Sequence, residues 1–187
     1  MAKTSGGTRN YRNNPKAMKT RRKEYNSLMG SGNYDHTRSY FDASGGFVAT
    51  HKEHNHITNH NEDKSDVASI NLAKKGYKVY LDSEKSEIEF STGKNKKVRD
   101  GRVYKYPMDI KTISKAGNNT IKNAIEDASK QNAQVAILYQ NAAKMDKKYV
   151  LSQLELFKMK SPKMAREKIE WVIVVGSNGN VHRHKMK

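Results

Sequence analysis

The sequence predicts an α+β fold: a small central, mostly antiparallel sheet with helices packed on it, preceded by a basic flexible arm. Three observations carry this. Apolar residues recur at helical spacing in three segments, short alternating runs lie between turn signals, and a helix, a glycine and a strand follow in immediate succession over residues 63–81. A chain of 187 residues suits one domain with an extension better than two domains. The division read from the sequence is a basic, disordered or partner-ordered arm over 1–40 and a compact domain over 41–187.

The arm is rich in Gly, Asn, Ser, Arg and Lys and poor in branched apolar residues, a composition that buries too little surface to offset ordering entropy. Its segment Lys16 to Tyr25 is compatible with a short helix, but the run Lys19-Thr20-Arg21-Arg22-Lys23 reads first as an electrostatic contact. Ser44-Gly45-Gly46 is a turn, followed by a short strand from Phe47 to His51. Asp63 to Lys75 is a helix with Val67, Ala68, Ile70 and Leu72 in its apolar stripe, and Gly76 stands where a left-handed cap is wanted. Tyr77 to Leu81 then alternates as a strand. Glu87 to Ser91, Gly101 to Tyr106 and Met108 to Thr112 are further short strands, with a basic loop over Thr92 to Asp100.

A helix from Asn118 to Asn132 has Ile121, Ala124, Ile125 and Ala128 on one face, capped by Asn118 or Asn119. Gln134 to Tyr139 is almost continuously apolar, hence a central strand buried on both faces. Val150, Leu154 and Phe157 mark a third helix that Pro162 limits. Ile169 to Val175 and Asn180 to His184 form a hairpin across Ser177-Asn178-Gly179.

Lys and Arg outnumber Asp and Glu 36 to 19, giving a formal charge of +17. Such an excess favours polyanionic partners, mainly nucleic acid, through counterion release. An acidic neutralising protein or an anionic membrane surface would meet the same charge. The absence of cysteine removes disulfide frameworks, thiolate catalysis and cysteine-based zinc sites. No secretory apolar region follows Met1, and the run Trp171 to Val175 is too short to span a bilayer. A soluble protein without a membrane partner is expected, acting in the cytoplasm and, if exported, using a route other than a signal peptide.

The most informative stretch is Met108-Asp109-Ile110-Lys111-Thr112. On a strand, Asp109 and Lys111 share one face while Met108 and Ile110 point to the core. Lys94, Lys96, Lys97, Arg99, Arg102 and Lys105 make the neighbourhood strongly positive, suited to a polyanion and to phosphodiester chemistry. A solvated surface pair is the plain alternative. His51 and His54 belong to a histidine-rich stretch, but no second cluster has metal-ligand spacing, so no metal site is expected from them.

Two catalytic schemes fit these residues. In metal-free RNA cleavage, Lys111 and Arg99 would offset phosphate charge, His51 or His54 would act as acid or base, and Asp109 and Thr112 would orient. In the metal-dependent PD-(D/E)xK scheme, Asp100, Asp109 and Lys111 would form the centre, although no Pro-Asp dipeptide is present and Asp100 lies beside a basic turn. In the terminal hairpin, alternation separates His182 and His184 from Arg183 and Val181, and Arg183 joins the candidate nucleic-acid contacts. A non-enzymatic nucleic-acid-binding or virion-packaged phage protein would need only the charge.

The order Gly46-Phe47-Val48, His51, His54, then Leu72-Ala73, Gly76, Val79, Leu81, then Asp109-Ile110-Lys111-Thr112, a helix ending near Gln131 and the strand Val135 to Leu138 resembles the C-terminal tRNase domain of contact-dependent inhibition and other polymorphic toxins, with relatives in phages and mobile elements. The resemblance covers about residues 40–187 and leaves the basic arm outside. It implies a barnase/EndoU/colicin/RelE-like fold and a metal-independent endoribonuclease without cofactor, acting on structured RNA such as tRNA. It also implies an acidic immunity protein as partner and delivery from a secretion system or a phage particle.

Overall fold

The computed structural model describes residues 10–54, 65–83, 99–140 and 145–187. Eight strands form one sheet in sequence order: β1 (Tyr40–Phe41), β2 (Phe47–Thr50), β3 (Lys78–Leu81), β4 (Gly101–Val103), β5 (Tyr106–Ile113), β6 (Val135–Gln140), β7 (Trp171–Val175) and β8 (Val181–Lys185). The helices are α1 (Pro15–Gly30), α2 (Ser65–Lys74), α3 (Thr120–Lys130), α4 (Lys147–Lys160) and α5 (Lys163–Lys168). None of the described helices is long and apolar enough to cross a membrane.

The α+β class holds, but the sheet is larger and more mixed than expected. β2/β3, β5/β6 and β6/β7 pair in parallel, while β1/β2, β3/β4, β4/β5 and β7/β8 are antiparallel. The reason is connectivity. Where a helix joins two neighbouring strands the chain returns to its starting end, so α2, α3 and the α4–α5 pair each impose a parallel step.

Two faces result. On one, α2 packs Ala68, Leu72 and Ala73 against Val79, Leu81, Met108, Ile110 and Ile137. On the other, Ile121, Ile125, Leu154 and Phe157 pack against Ile113, Ala136, Leu138 and Val174. β6 is therefore buried on both sides, as its apolar run predicts. Gly76 adopts φ +82°, and the Gly76 and Tyr77 amides donate to the Ala73 and Leu72 carbonyls, closing α2 with the expected left-handed cap. Asn119 is the residue before α3, and Gly179 with φ +78° closes the terminal hairpin. The strand expected over Glu87 to Ser91 lies outside the described residues.

The expected arm differs most. Pro15 opens α1, and the Asn14 side chain accepts from the Ala17 amide as N-cap. Arg21, read as part of an electrostatic contact, is buried and donates to the Gly45 and Gly76 carbonyls at 2.8 and 3.1 Å, beneath the Tyr11 ring. Glu24 accepts from Lys78 and from the Tyr80 hydroxyl. Tyr25 meets Phe41 and Phe47, and Arg22 lies over Phe41. Composition hid this because the helix docks through charged hydrogen bonds and three rings rather than an aliphatic stripe. Removing the buried guanidinium in Arg21→Ala takes the donor from the Gly45 carbonyl and leaves the Gly76 carbonyl with the longer Tyr104 hydroxyl bond at 3.3 Å. It should lower the unfolding free energy by about 2 kcal/mol in urea titration; an unchanged midpoint would mean that α1 contributes nothing to the fold.

Candidate functional site

Register builds one row across the second face. Leu81 pairs with Gly101 and Gly101 with Met108, all turned to the α2 side, so the next residues, Asp82, Asp100 and Asp109, present their side chains on the opposite face. The backbone continues the row: His51 N–H donates to the Leu81 carbonyl at 2.8 Å and Asp82 N–H to the Asp100 carbonyl at 3.1 Å. Gly101 is required at its crossing, because a Cβ there would lie 1.9 Å from the Tyr80 carbonyl oxygen. α1 covers this face near Phe47 and Tyr80, and α3 with α4 covers it near Ile113 and Leu138; the acidic row lies between the two coverings.

Asp109 has a side chain only 1 % exposed, and the Lys111 Nζ lies 2.8 Å from its Oδ2. Asp100 Oδ2 accepts the Ile110 amide at 2.6 Å, which fixes one carboxylate beside the strand that carries the other. Burial, and then the charge of Asp100, push the Asp109 carboxyl up to about 6, with Lys111 opposing. Asp82 pairs with Arg102 at 3.0 Å, and Arg102 lies over the Tyr80 ring. At the far end of the row Tyr34 meets the His51 ring edge to face. Burial and the Asp82 charge raise the Tyr34 hydroxyl above its ordinary value.

The structure thus joins Asp109 and Lys111 with Asp100, and separates them from other expected site residues. Thr112 pairs with Tyr139 of the α2-side core, so it lies on the face opposite Lys111. His54 is buried, its Nδ1 3.0 Å from the Asp82 carbonyl and its own carbonyl bound by Arg38. His51 shares the row's face, but its Nδ1 accepts the Glu53 amide. Arg99 immediately precedes Asp100, with its Nε buried. Arg102, Lys105 and Arg183 lie over Tyr80, Tyr106 and Trp171 respectively. Lys94, Lys96 and Lys97 lie outside the described residues. Among the described residues no group of three or more histidines and carboxylates could hold a metal. Asp82 and Tyr34 were missed; only the position of Asp82 directly after an alternating strand could have signalled it.

Residues 100–181 match the contact-dependent growth inhibition CdiA C-terminal domain. That segment starts at Asp100 and contains Asp109 and Lys111; His51, His54 and α1 precede it. The resemblance to that toxin-domain family read from the sequence is borne out over these residues. In fold, the chain is similar to a chain of the CdiA-CT/CdiI toxin and immunity complex from Burkholderia pseudomallei, with a TM-score of 0.53 and 16% identity over 73% of this chain and 98% of the other. No curated protein sequence matches significantly.

A carboxyl whose folded pKa stands near 6 instead of 3.8 favours the fold while protonated, and that contribution is lost as pH rises through about 6. The stability of Asp109→Asn relative to the natural protein should therefore increase between about pH 4 and pH 7. Urea midpoints across that range provide the check; a pH-independent difference would show that Asp109 does not titrate there.

Proposed function

We propose that this toxin-family domain is a nuclease that hydrolyses phosphodiester bonds in RNA, with Asp100, Asp109 and Lys111 as its active centre. The observation that carries the reading is a buried carboxylate sharing its site with a second carboxylate and paired with a lysine, on adjacent strands of a chain with charge +17. Such a centre fits a divalent cation. Burial and then the Asp100 charge raise Asp109, a bound cation would offset both, and a hard ion such as Mg2+ is commonly held by one or two carboxylates with water completing its shell.

Asp100 and Asp109 would hold the ion, which when bound supplies charge neutralisation at the phosphate under attack. The Ile110 amide fixes Asp100 in place. Asp109 anchors Lys111, whose ammonium group, about a quarter exposed, can meet a non-bridging phosphate oxygen as charge develops there. The metal-free scheme read from the sequence assigns acid or base to His51 or His54, and both make their contacts elsewhere in the row. The choice of RNA, and of tRNA within it, rests on the family resemblance. The basic charge and the neighbour solved as a toxin and immunity complex support an acidic immunity protein as the partner, and membership supports delivery between cells.

Purified protein should cleave tRNA with Mg2+ or Mn2+ and lose that activity in excess EDTA. Asp100→Ala, Asp109→Asn and Lys111→Ala should each reduce the rate by about a hundredfold or more, with His51→Ala near the natural rate. Added Mn2+ should also raise the melting temperature of the natural protein, by about 2–4 °C per kcal/mol of binding, and not that of Asp100→Ala. EDTA-resistant cleavage that needs His51 would overturn the cation in favour of the metal-free scheme, and no cleavage under any condition would leave a binding protein.

A further inference from the structure

An open groove of about 660 Å³ runs beside the β4–β5 hairpin and reaches Trp171 at the start of β7 and Arg183 in the middle of β8. Its lining among the described residues consists of cations and aromatic rings, with no carboxylate. Three of these form cation–ring pairs: Arg102 over Tyr80 at 4.6 Å, Lys105 over Tyr106 at 5.6 Å and Arg183 over Trp171 at 4.3 Å. A guanidinium held over a ring offers an ordered surface on which a base can stack, as well as donors for phosphate.

The groove adjoins the acidic row. Arg102 lies two residues from Asp100 on the same strand face, about 7 Å along the chain, and also binds Asp82. From these observations we propose that the groove binds an unpaired stretch of nucleic acid, its bases stacked on the cation–ring pairs and its backbone led toward Asp109 and Lys111. A duplex is a poorer fit. Its bases are stacked on each other and present only edges and phosphates, so the rings would add nothing to the positive charge. The inference rests on the nuclease reading for its purpose, but the binding it describes does not depend on cleavage.

Trp171 is the single tryptophan of the chain, which gives the groove its own optical report. In EDTA, where turnover is not required, an oligouridylate of about twelve residues should quench tryptophan emission and bind about tenfold more tightly than a duplex of equal length or inorganic polyphosphate. Oligothymidylate of the same length distinguishes RNA from DNA as the source of the strand: equal binding assigns the groove to either, and weaker binding assigns it to RNA. Arg183→Gln and Lys105→Gln, both surface changes, should each weaken the single strand about fivefold to tenfold and leave polyphosphate within about twofold. Equal affinity for single strand, duplex and polyphosphate, or quenching that survives Arg183→Gln at unchanged affinity, overturns the proposal. Loss of cleavage in Asp109→Asn with single-strand binding retained separates the groove from the catalytic reading, and cleavage with no strand preference would defeat the groove alone.

Discussion

The Asp109 carboxylate is held out of water against the Lys111 ammonium, and the surrounding architecture makes that possible. A carboxylate so enclosed is costly unless compensated, which is why its proton affinity is raised even with a lysine in contact. β5 resolves the conflict by alternation: Met108 and Ile110 enter one core, while Asp109 and Lys111 enter the gap left by the helices of the opposite face. Burial without a charge partner would exclude the acid, and exposure would leave it an ordinary aspartate.

The chain's positive charge is unevenly committed. Arg21, Arg22, Arg38 and Lys78 serve the fold, bonding carbonyls, a ring or carboxylates. Lys105 and Arg183 are instead ordered by aromatic rings along one groove, where Arg102 joins them while also pairing with Asp82. Net charge thus describes the class of partner, while the division between structural and presented cations decides where a polyanion can engage.

Much of this was legible in the sequence where periodicity and caps agree. The helix before Gly76, the doubly buried strand at Val135, the helix ended by Pro162 and the Asn-Gly hairpin follow from spacing and turn chemistry. The shared face of Asp109 and Lys111 follows from alternation, and so does the pairing of Arg183 with Ile173 of one core while His182 and His184 pair with Val174 and Val172 of the other. What pattern cannot supply is register between distant strands. That register set Asp100 beside Asp109 and turned His54 toward a backbone carbonyl, whereas alternation along β5 alone already puts Thr112 on the face opposite Lys111. The docking of α1, not its helical character, escaped detection for a related reason, since partners of Arg21 and Glu24 lie more than fifty residues away in sequence.

The seating of α1 also fixes where this module can be severed from whatever precedes it. Tyr25, Leu28 and Met29 roof the rings of Phe41, Phe47 and Tyr80, and Glu24 engages the Tyr80 hydroxyl. A recombination junction at residue 40 would strip that roof and leave a sticky aromatic floor beside the groove, whereas one ahead of Asn14 would transfer the helix and its cap intact. The roof, in physical terms, reaches back at least to Tyr11, whose ring covers Arg21 and whose amide donates to the Ser44 carbonyl.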